Sequence, residues 1–544
     1  MSKVAHYLQQ HLSGEVQTST DVRRYFSTDG SIFSLTPSVV VYPRNENDIR
    51  KTARFSWQLA ERGRVIPLTA RGAGTDQAGA AIGNGILVVY PAHLNRILEL
   101  DGKTGLITVE PGINYGKLQQ TLQTHGRFLP PAPSSLEYTT VGGAVANNTG
   151  GPRSHKYGSI NKFVKGLRVV LSNGEVIETR RLSKRELHKK LGLTTFEGEV
   201  YRSLDTLIEE NQQIIKDYRS TVTKNSAGYD LFSVKRKDGS FDLTPLFVGS
   251  QGTLGLISEI VLETVIHSPE STVIAAFIDD LQVAEEILND IRKQAEPPSA
   301  VEFIDQQLLS FVAKQNPNQL KHVVESADHK MVLLIEYDNP NTRLQKRLAK
   351  KTTKILQHYQ VPFKVETEEE KKDELWKIRE AASSVLLHGE GGLRPLPLIE
   401  DGIVPPERFN EFLNGLYLLF DKHGIRSSVW GSAGDANLHT RPFLDLGQVG
   451  DRQKAFRLAE EYYNLVISLG GSTSGEDGDG RLRAPYLKLQ YGEDLYSVFQ
   501  KVKQVFDPYN MLNPGVKVNV TLEDIKPLLR NEYSQDYIEH LPRG

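Results

Sequence analysis

The sequence predicts an α+β protein of two domains with a short C-terminal return, and three observations carry that expectation. At 544 residues the chain is too long for one core, since single cores stop growing at roughly 250–300 residues. Its first half mixes strands and helices around glycine-rich loops. Its second half alternates strand-like runs with amphipathic helices, the pattern of a sheet covered by helices on one face.

Taken in order, Ile49, Ala53, Trp57 and Ala60 recur at helical spacing behind capping Asn45 and Glu46, so 45–63 is a helix. Residues 65–69 form a short strand feeding a glycine-rich loop, and 86–90 form another. Residues 96–99 and 106–110 pair as a hairpin across 101–105, and a second hairpin turns at Asn173-Gly174. The basic run Arg180, Arg181, Lys184, Arg185, His188, Lys189 and Lys190 sits in a helical segment and reads as a solvated face. Past 267–270 the texture changes. Residues 272–278, 301–304 and 331–337 are strand-like, while 281–294, 407–423 and 452–469 are amphipathic helices. A boundary near Val265 gives domains over 1–265 and 266–504, with 505–544 returning to the first.

Composition removes several classes of function. Lys and Arg number 65 against 67 Asp and Glu, a formal net charge of -2, which takes away the main electrostatic reason for a nucleic-acid partner. Hydrophobic residues at 39% and charged residues at 24% are ordinary for a globular chain. The absence of cysteine excludes disulfides, thiolate zinc sites and a cysteine-ligated iron–sulfur cluster. Residues 1–15 are polar, and no run approaches the ~18 apolar residues of a spanning helix. A cytoplasmic location is expected, with peripheral membrane contact left open.

The chemistry begins in three glycine loops. In Thr-Ala-Arg-Gly-Ala-Gly-Thr-Asp at 69–76, Gly72, Ala73 and Gly74 carry almost no side chain, so successive N–H groups can converge on an anion such as a pyrophosphate. No G-x-G-x-x-G spacing fits and no Gly-Lys-Ser/Thr ends the loop, which excludes a Rossmann fingerprint and a P-loop. Further on, Pro131 to Ser135 and Thr140 to Gly151 set small residues among Thr140, Asn147 and Asn148, where a flat ligand can lie against bare backbone. Phe247 to Ile257 repeats the theme.

These loops resemble a known family. Arg-Gly-Ala-Gly-Thr at 71–75, Pro-Ser-Ser at 133–135, Val-Gly-Gly-Ala-Val at 141–145, Gly-Gly-Pro-Arg at 150–153, Lys-Tyr-Gly at 156–158 and Gly-Ser-Gln-Gly-Thr-Leu-Gly at 249–255 are similar to the vanillyl-alcohol oxidase superfamily. Phe506-Asp-Pro and Leu512-Asn-Pro-Gly515 extend the resemblance over nearly the whole chain. It implies a two-part FAD-binding domain of the p-cresol methylhydroxylase type and an antiparallel-sheet, helix-covered (ferredoxin-like) cap domain. It implies that Arg71, Gly72, Ala73, Gly74, Thr75 and Asp76 wrap the FAD pyrophosphate. Pro133, Ser134, Ser135, Thr140, Gly142, Gly143, Asn147, Asn148 and Gly150 would line the isoalloxazine and ribityl chain. Gly252 to Ile257 would approach from the other side, and Asn513 would return to the ring. Relatives with covalent flavin often carry a His in the first loop; this loop has none, so noncovalent FAD is expected.

In the cap, Leu375 to Arg379, Ile399-Glu-Asp401, Gly434 to His439 and Ser474 to Gly478 resemble the D-lactate, glycolate and D-2-hydroxyglutarate dehydrogenase branch. Oxidising a hydroxy acid calls for a cation for the carboxylate, a base for the hydroxyl proton and an electron sink at the α-carbon. Arg379 suits the first role, because a guanidinium binds carboxylate bidentately. His439 is the leading base by intrinsic pKa. Asn437, two residues earlier on a strand, shares its face and can orient the substrate, and Glu476 is a third polar group expected there. Metal-using members of the branch carry a His where this chain has Ser432, and another after the glutamate, where this chain has Asp477. His439 and Glu476 alone are thin for zinc, which takes three protein ligands in catalytic sites, so a divalent metal is in doubt. A metal-free oxidoreductase is preferred over an oxygen-rich weaker metal site using Asp477 or Asp435, and over a relative with reduced chemistry.

The expected function is FAD-dependent oxidation of a small hydroxy acid by hydride transfer to flavin. Two alternatives are a flavin-bearing electron-transfer or binding subunit with an eroded site, and an oxidase of another alcohol. Many relatives carry an iron–sulfur domain after the Leu-Asn-Pro-Gly closure. Here the chain ends shortly past it without cysteine, so a separate acceptor is expected: quinone, soluble carrier, partner subunit or oxygen.

Overall fold

The computed structural model describes residues 3–218, 220–268, 270–315, 318, 329–387 and 392–530. The first domain has two parts. Strands Glu15–Gln17, Val39–Tyr42, Ile86–Val89 and Leu68–Arg71 lie in that order in one sheet, and the last three run parallel. Val39–Val41 and Ile86–Val88 are buried throughout, as parallel strands covered on both faces are. The strand expected at 65–69 begins only at Leu68, after Pro67, which has no N–H for the ladder. Helix Glu46–Ala60 starts where Asn45 accepts from the Asp48 N–H. The second part is an antiparallel sheet in the order Ile97–Leu100, Leu106–Val109, Leu256–Glu263, Val164–Val170 and Val176–Thr179. Both of its hairpins turn where the sequence places them, with Gly174 at a φ of 85°.

The cap sheet runs Phe363–Glu366, Thr272–Ile278, Met331–Tyr337, Ala300–Asp305, Ser427–Ser432, Asn437–Leu444 and Arg394–Pro395, antiparallel at each pairing. Its helices lie on both faces rather than on one. In Thr272–Ile278, Ala300–Asp305 and Met331–Tyr337 every residue is buried, so neither face can be left to water. Ile274, Phe303 and Leu333 pack under helices Leu281–Arg292, Thr342–His358, Phe409–His423 and Val449–Ser468. Val273, Ile304 and Leu334 pack under Gln306–Gln315 and Glu369–Leu387.

Helix Leu487–Phe506 buries Leu487, Tyr491, Leu495, Phe499 and Phe506 in the core that holds Val169 and Ile260. The return to the first domain, placed at 505 from sequence, therefore starts a whole helix earlier; residues 531–544 of that segment lie outside the described residues.

Pairing across the cap sheet positions the chemistry. Glu302 lies opposite Ser432, Ser432 opposite Asn437, and Trp430 opposite His439. Directly opposed residues share a face, so Glu302, Ser432, Asn437 and His439 share one, the face of Ile304 and Trp430.

Candidate functional site

The first glycine loop leaves strand Leu68–Arg71 and lies against the start of helix Val141–Asn147. Together with the third loop they bound an open cleft. Its wall holds Arg71, Gly72, Ala73, Gly74, Thr75, Asp76, Pro133, Ser135, Thr140, Gly142, Gly143, Asn147, Gly252 and Ile257. Most residues assigned from sequence thus meet around one space. Gly74 and Gly252 take φ of 83° and 72°, conformations that glycine adopts without strain. Asp76 accepts from Asn147 Nδ2 at 3.0 Å and from the N–H groups of Ala78 and Ala80. Gln251, inside the third motif but not singled out there, donates to Asn147 Oδ1 at 2.9 Å. A wall of backbone, small side chains and a few fixed polar groups suits a flat dinucleotide such as FAD.

The first two loops touch at Gly72, where a Cβ would stand 2.3 Å from Thr140 Oγ1. That hydroxyl caps the helix by accepting from the Gly143 N–H, so it cannot swing away freely. Gly72→Val is expected to weaken FAD binding by about 1–3 kcal/mol, the usual cost of overpacking, or on the order of 10- to 100-fold in Kd. Titrating flavin into the purified variant checks this; a wild-type Kd would remove the loop contact from the argument.

Four assigned residues lie elsewhere. Ser134 is exposed and outside the wall. Asn148 ends the helix at a φ of 57°, with Nδ2 donating to Ser226 Oγ and Oδ1 accepting from the Asn161 N–H, both at 3.2 Å. Gly150 packs beneath Glu476, whose Cγ a Cβ there would meet at 3.2 Å. Asn513 does not face the cleft. Its Nδ2 donates to Ala80 O and Gln251 O, each at 2.8 Å, and its Oδ1 accepts from Thr69 Oγ1 at 3.1 Å. With its whole amide committed to protein, it clamps the first and third loops from behind.

Beside the cleft lies a buried network of charges. His439 has Nδ1 2.6 Å from Glu400 Oε1 and Nε2 3.5 Å from Glu476 Oε2. Burial alone would lower its pKa, but the Glu400 charge and hydrogen bonds to both glutamates lift it to about 10. This surrounding favours the imidazolium, the form that donates rather than accepts a proton. The other oxygen of Glu400 accepts from Arg441; despite burial, the Arg441 and His439 charges hold Glu400 at about 2. Glu476 Oε1 accepts from Lys224 Nζ at 2.5 Å, and the Lys224 and His439 charges keep its carboxyl well below the usual range against the pull of burial. Lys224 also donates to Ser154 Oγ at 2.8 Å and lies 3.5 Å from Asp435 Oδ2. Ser432 Oγ donates to the same Asp435 oxygen at 3.3 Å.

Two further assigned residues bond within the protein. Arg379 Nε donates to Glu302 Oε2 at 2.7 Å, and both side chains are buried, so the expected carboxylate clamp already holds a carboxylate of the protein. Asn437 is fully buried. Its Nδ2 donates to Asp401 Oδ1 at 3.1 Å and to the Asp401 and Gly402 carbonyls, while its buried Oδ1 has no hydrogen-bond partner among the described residues.

Asp477 is where the cleft and the network meet. It lines the cleft, its Oδ1 accepts from Thr149 Oγ1 at 3.1 Å, and its N–H donates to Asp401 Oδ2 at 2.9 Å. Burial, then the Asp401 charge, with smaller pushes from Glu476 and Asp76, outweigh Arg483 and raise its carboxyl to about 7.

Two family models match this architecture: "FAD binding domain" over residues 37–180 and "FAD linked oxidases, C-terminal domain" over residues 268–516. The chain carries the FAD-binding domain and the C-terminal domain of FAD linked oxidases, in that order. It is 30% identical over 533 residues to D-2-hydroxyglutarate dehydrogenase of Escherichia coli (strain K12), covering 93% of this chain and 50% of that protein. The chain thus spans half the length of that relative. It is 28% identical over 480 residues to glycolate oxidase subunit GlcD of Bacillus subtilis (strain 168), covering 88% of each. The solved structure of p-cresol methylhydroxylase with substrate bound matches with a TM-score of 0.67 at 14% identity, over 96% of this chain and 97% of that one, which shows the shared fold. The chain is thus related to a D-2-hydroxyglutarate dehydrogenase and to a glycolate oxidase subunit.

Lys224 and Glu400 escape a reading of single motifs. Glu400 stands in Ile399-Glu-Asp401, a stretch that carries resemblance but no role for its glutamate. Lys224 sits in Thr223-Lys-Asn-Ser226, a polar stretch with nothing to mark its lysine as buried.

Proposed function

We propose that this protein oxidises a small hydroxy acid of the D-lactate, glycolate or D-2-hydroxyglutarate type, with Asp477 as the base that takes the hydroxyl proton. The observation that carries this reading is the place of Asp477, among the described residues the acid shared by the cleft wall and the charge network. Bound noncovalently along the three loops, FAD would supply the two-electron acceptor at the α-carbon.

The chain's own residues do the rest. Glu400 and Glu476 hold the His439 ring from its two nitrogens and fix it beside the cleft. The α C–H bond gives up its electron pair as hydride, the O–H proton goes to Asp477, and the substrate leaves as an oxo acid. A base near pKa 7 is matched to proton transfer at neutral pH. Lys224 already supplies a cation to Glu476 and Asp435, so the reading needs no divalent ion. Reoxidation falls to a separate acceptor.

Anaerobic addition of D-lactate, glycolate and D-2-hydroxyglutarate to the flavin-loaded protein tests it. At least one should bleach the flavin band, with and without EDTA. Silence from all three would favour the flavin-bearing subunit, and bleaching lost on chelation would restore a metal.

A further inference from the structure

Helix Thr342–His358 carries Arg343, Lys346, Arg347, Lys350, Lys351 and Lys354 and no acidic residue. At 3.6 residues per turn these six fall within an arc of about 140°, opposite the buried Gln345, Leu348, Ala349, Thr352 and Leu356. All six are exposed, and no side chain among them pairs with a described acid. The basic run at 180–190 behaves differently, because Arg180, Arg181 and Lys190 there pair with Glu186, Asp238 and Glu197. The acids flanking the stripe are few. Glu270 accepts from Thr342 at the helix start. On the adjoining helix Leu281–Arg292, Asp290 is held by Lys293 and Tyr359 and Glu285 by Asn410, which leaves Glu286. A row of cations about 16 Å long therefore stands uncompensated on a chain whose net charge is -2.

We propose that this stripe docks the protein on a membrane leaflet carrying anionic lipid. Four of the six charges are lysines, compact point charges that suit a diffuse anionic surface better than the paired forks of a shaped phosphate site. The stripe is flat, and the apolar side of its helix is spent on the cap core. It covers the cap-sheet face opposite Glu302, Ser432 and His439. No helix of the described residues is long and apolar enough to cross a membrane, so the attachment is peripheral. None of this rests on the cofactor or substrate reading.

Co-sedimentation of the full chain with phosphatidylcholine vesicles, with and without a third phosphatidylglycerol, tests it. Binding is expected to the anionic vesicles alone at about 50 mM salt, and should be lost near 1 M, where the Debye length falls to about 3 Å. The triple variant Lys346→Gln, Lys350→Gln, Lys354→Gln should lower partitioning on the order of 100-fold, with unchanged Tm and flavin reduction. Failure of the wild type to sediment at low salt overturns the proposal and points to an acidic protein as partner. Equal binding to neutral vesicles, or full binding by the triple variant, overturns it as well.

Discussion

Asp477→Asn lowers the rate of hydroxy-acid oxidation by about 10²–10⁴-fold, the usual worth of a positioned general base. The amide keeps an oxygen for the Thr149 hydroxyl and nearly the same volume, so cleft and fold persist while the proton acceptor goes. Proton transfer needs the carboxylate, and burial with Asp401 places its titration at about 7; the wild-type rate of flavin reduction should therefore rise with pH through neutrality. In the variant that rise disappears. Stability should respond with the opposite sign. A carboxyl whose pKa is raised on folding costs the native state stability as pH climbs from the ordinary carboxylate range through its folded value, and the neutral amide removes that cost. Stopped-flow reduction across pH 5–9, with melting curves on the same samples, checks both. An unchanged rate and pH profile in the variant would sink Asp477 as the base.

What could be seen in advance divides along physical lines. Bare backbone declares itself one residue at a time, so the three glycine loops, and the cleft they bound, were readable from Gly72, Gly74, Gly142, Gly143 and Gly252. Strand parity is equally local, and it put Asn437 and His439 on one face. Charge networks are not local. Lys224 and Glu476 are 252 positions apart, and no spacing rule links a lysine in one domain to a glutamate in the other. For the same reason the intrinsic pKa of His439 says nothing of the two glutamates from separate loops that raise it. The second helix layer of the cap was hidden because a strand buried on both faces shows a continuous apolar run and does not say what covers it.

Lys224→Met should destabilise the protein by about 3–5 kcal/mol at neutral pH, the cost of leaving a buried charge without its partner. Met matches the length of the aliphatic stem, so the loss reports the ammonium rather than a cavity. Lys224 is 2% exposed at the side chain and meets Glu476 and Asp435 across the junction of the two domains. The size of the loss should depend on pH. In the wild type the Lys224 charge is the main force holding both carboxyls well below their ordinary range, so they stay ionised deep into acid. Without it burial drives them up, they bind protons sooner, and the uncompensated charge vanishes as pH falls. The stability gap between wild type and variant should thus be widest near pH 7 and narrow steadily toward pH 4. Adding Glu476→Gln to the Met variant should recover part of the loss, as coupled neighbours do. Denaturant unfolding of the wild type, both single variants and the double variant at both pH values decides it: a gap that does not change with pH, or a double variant whose cost is the sum of its parts, would show that Lys224 only fills space.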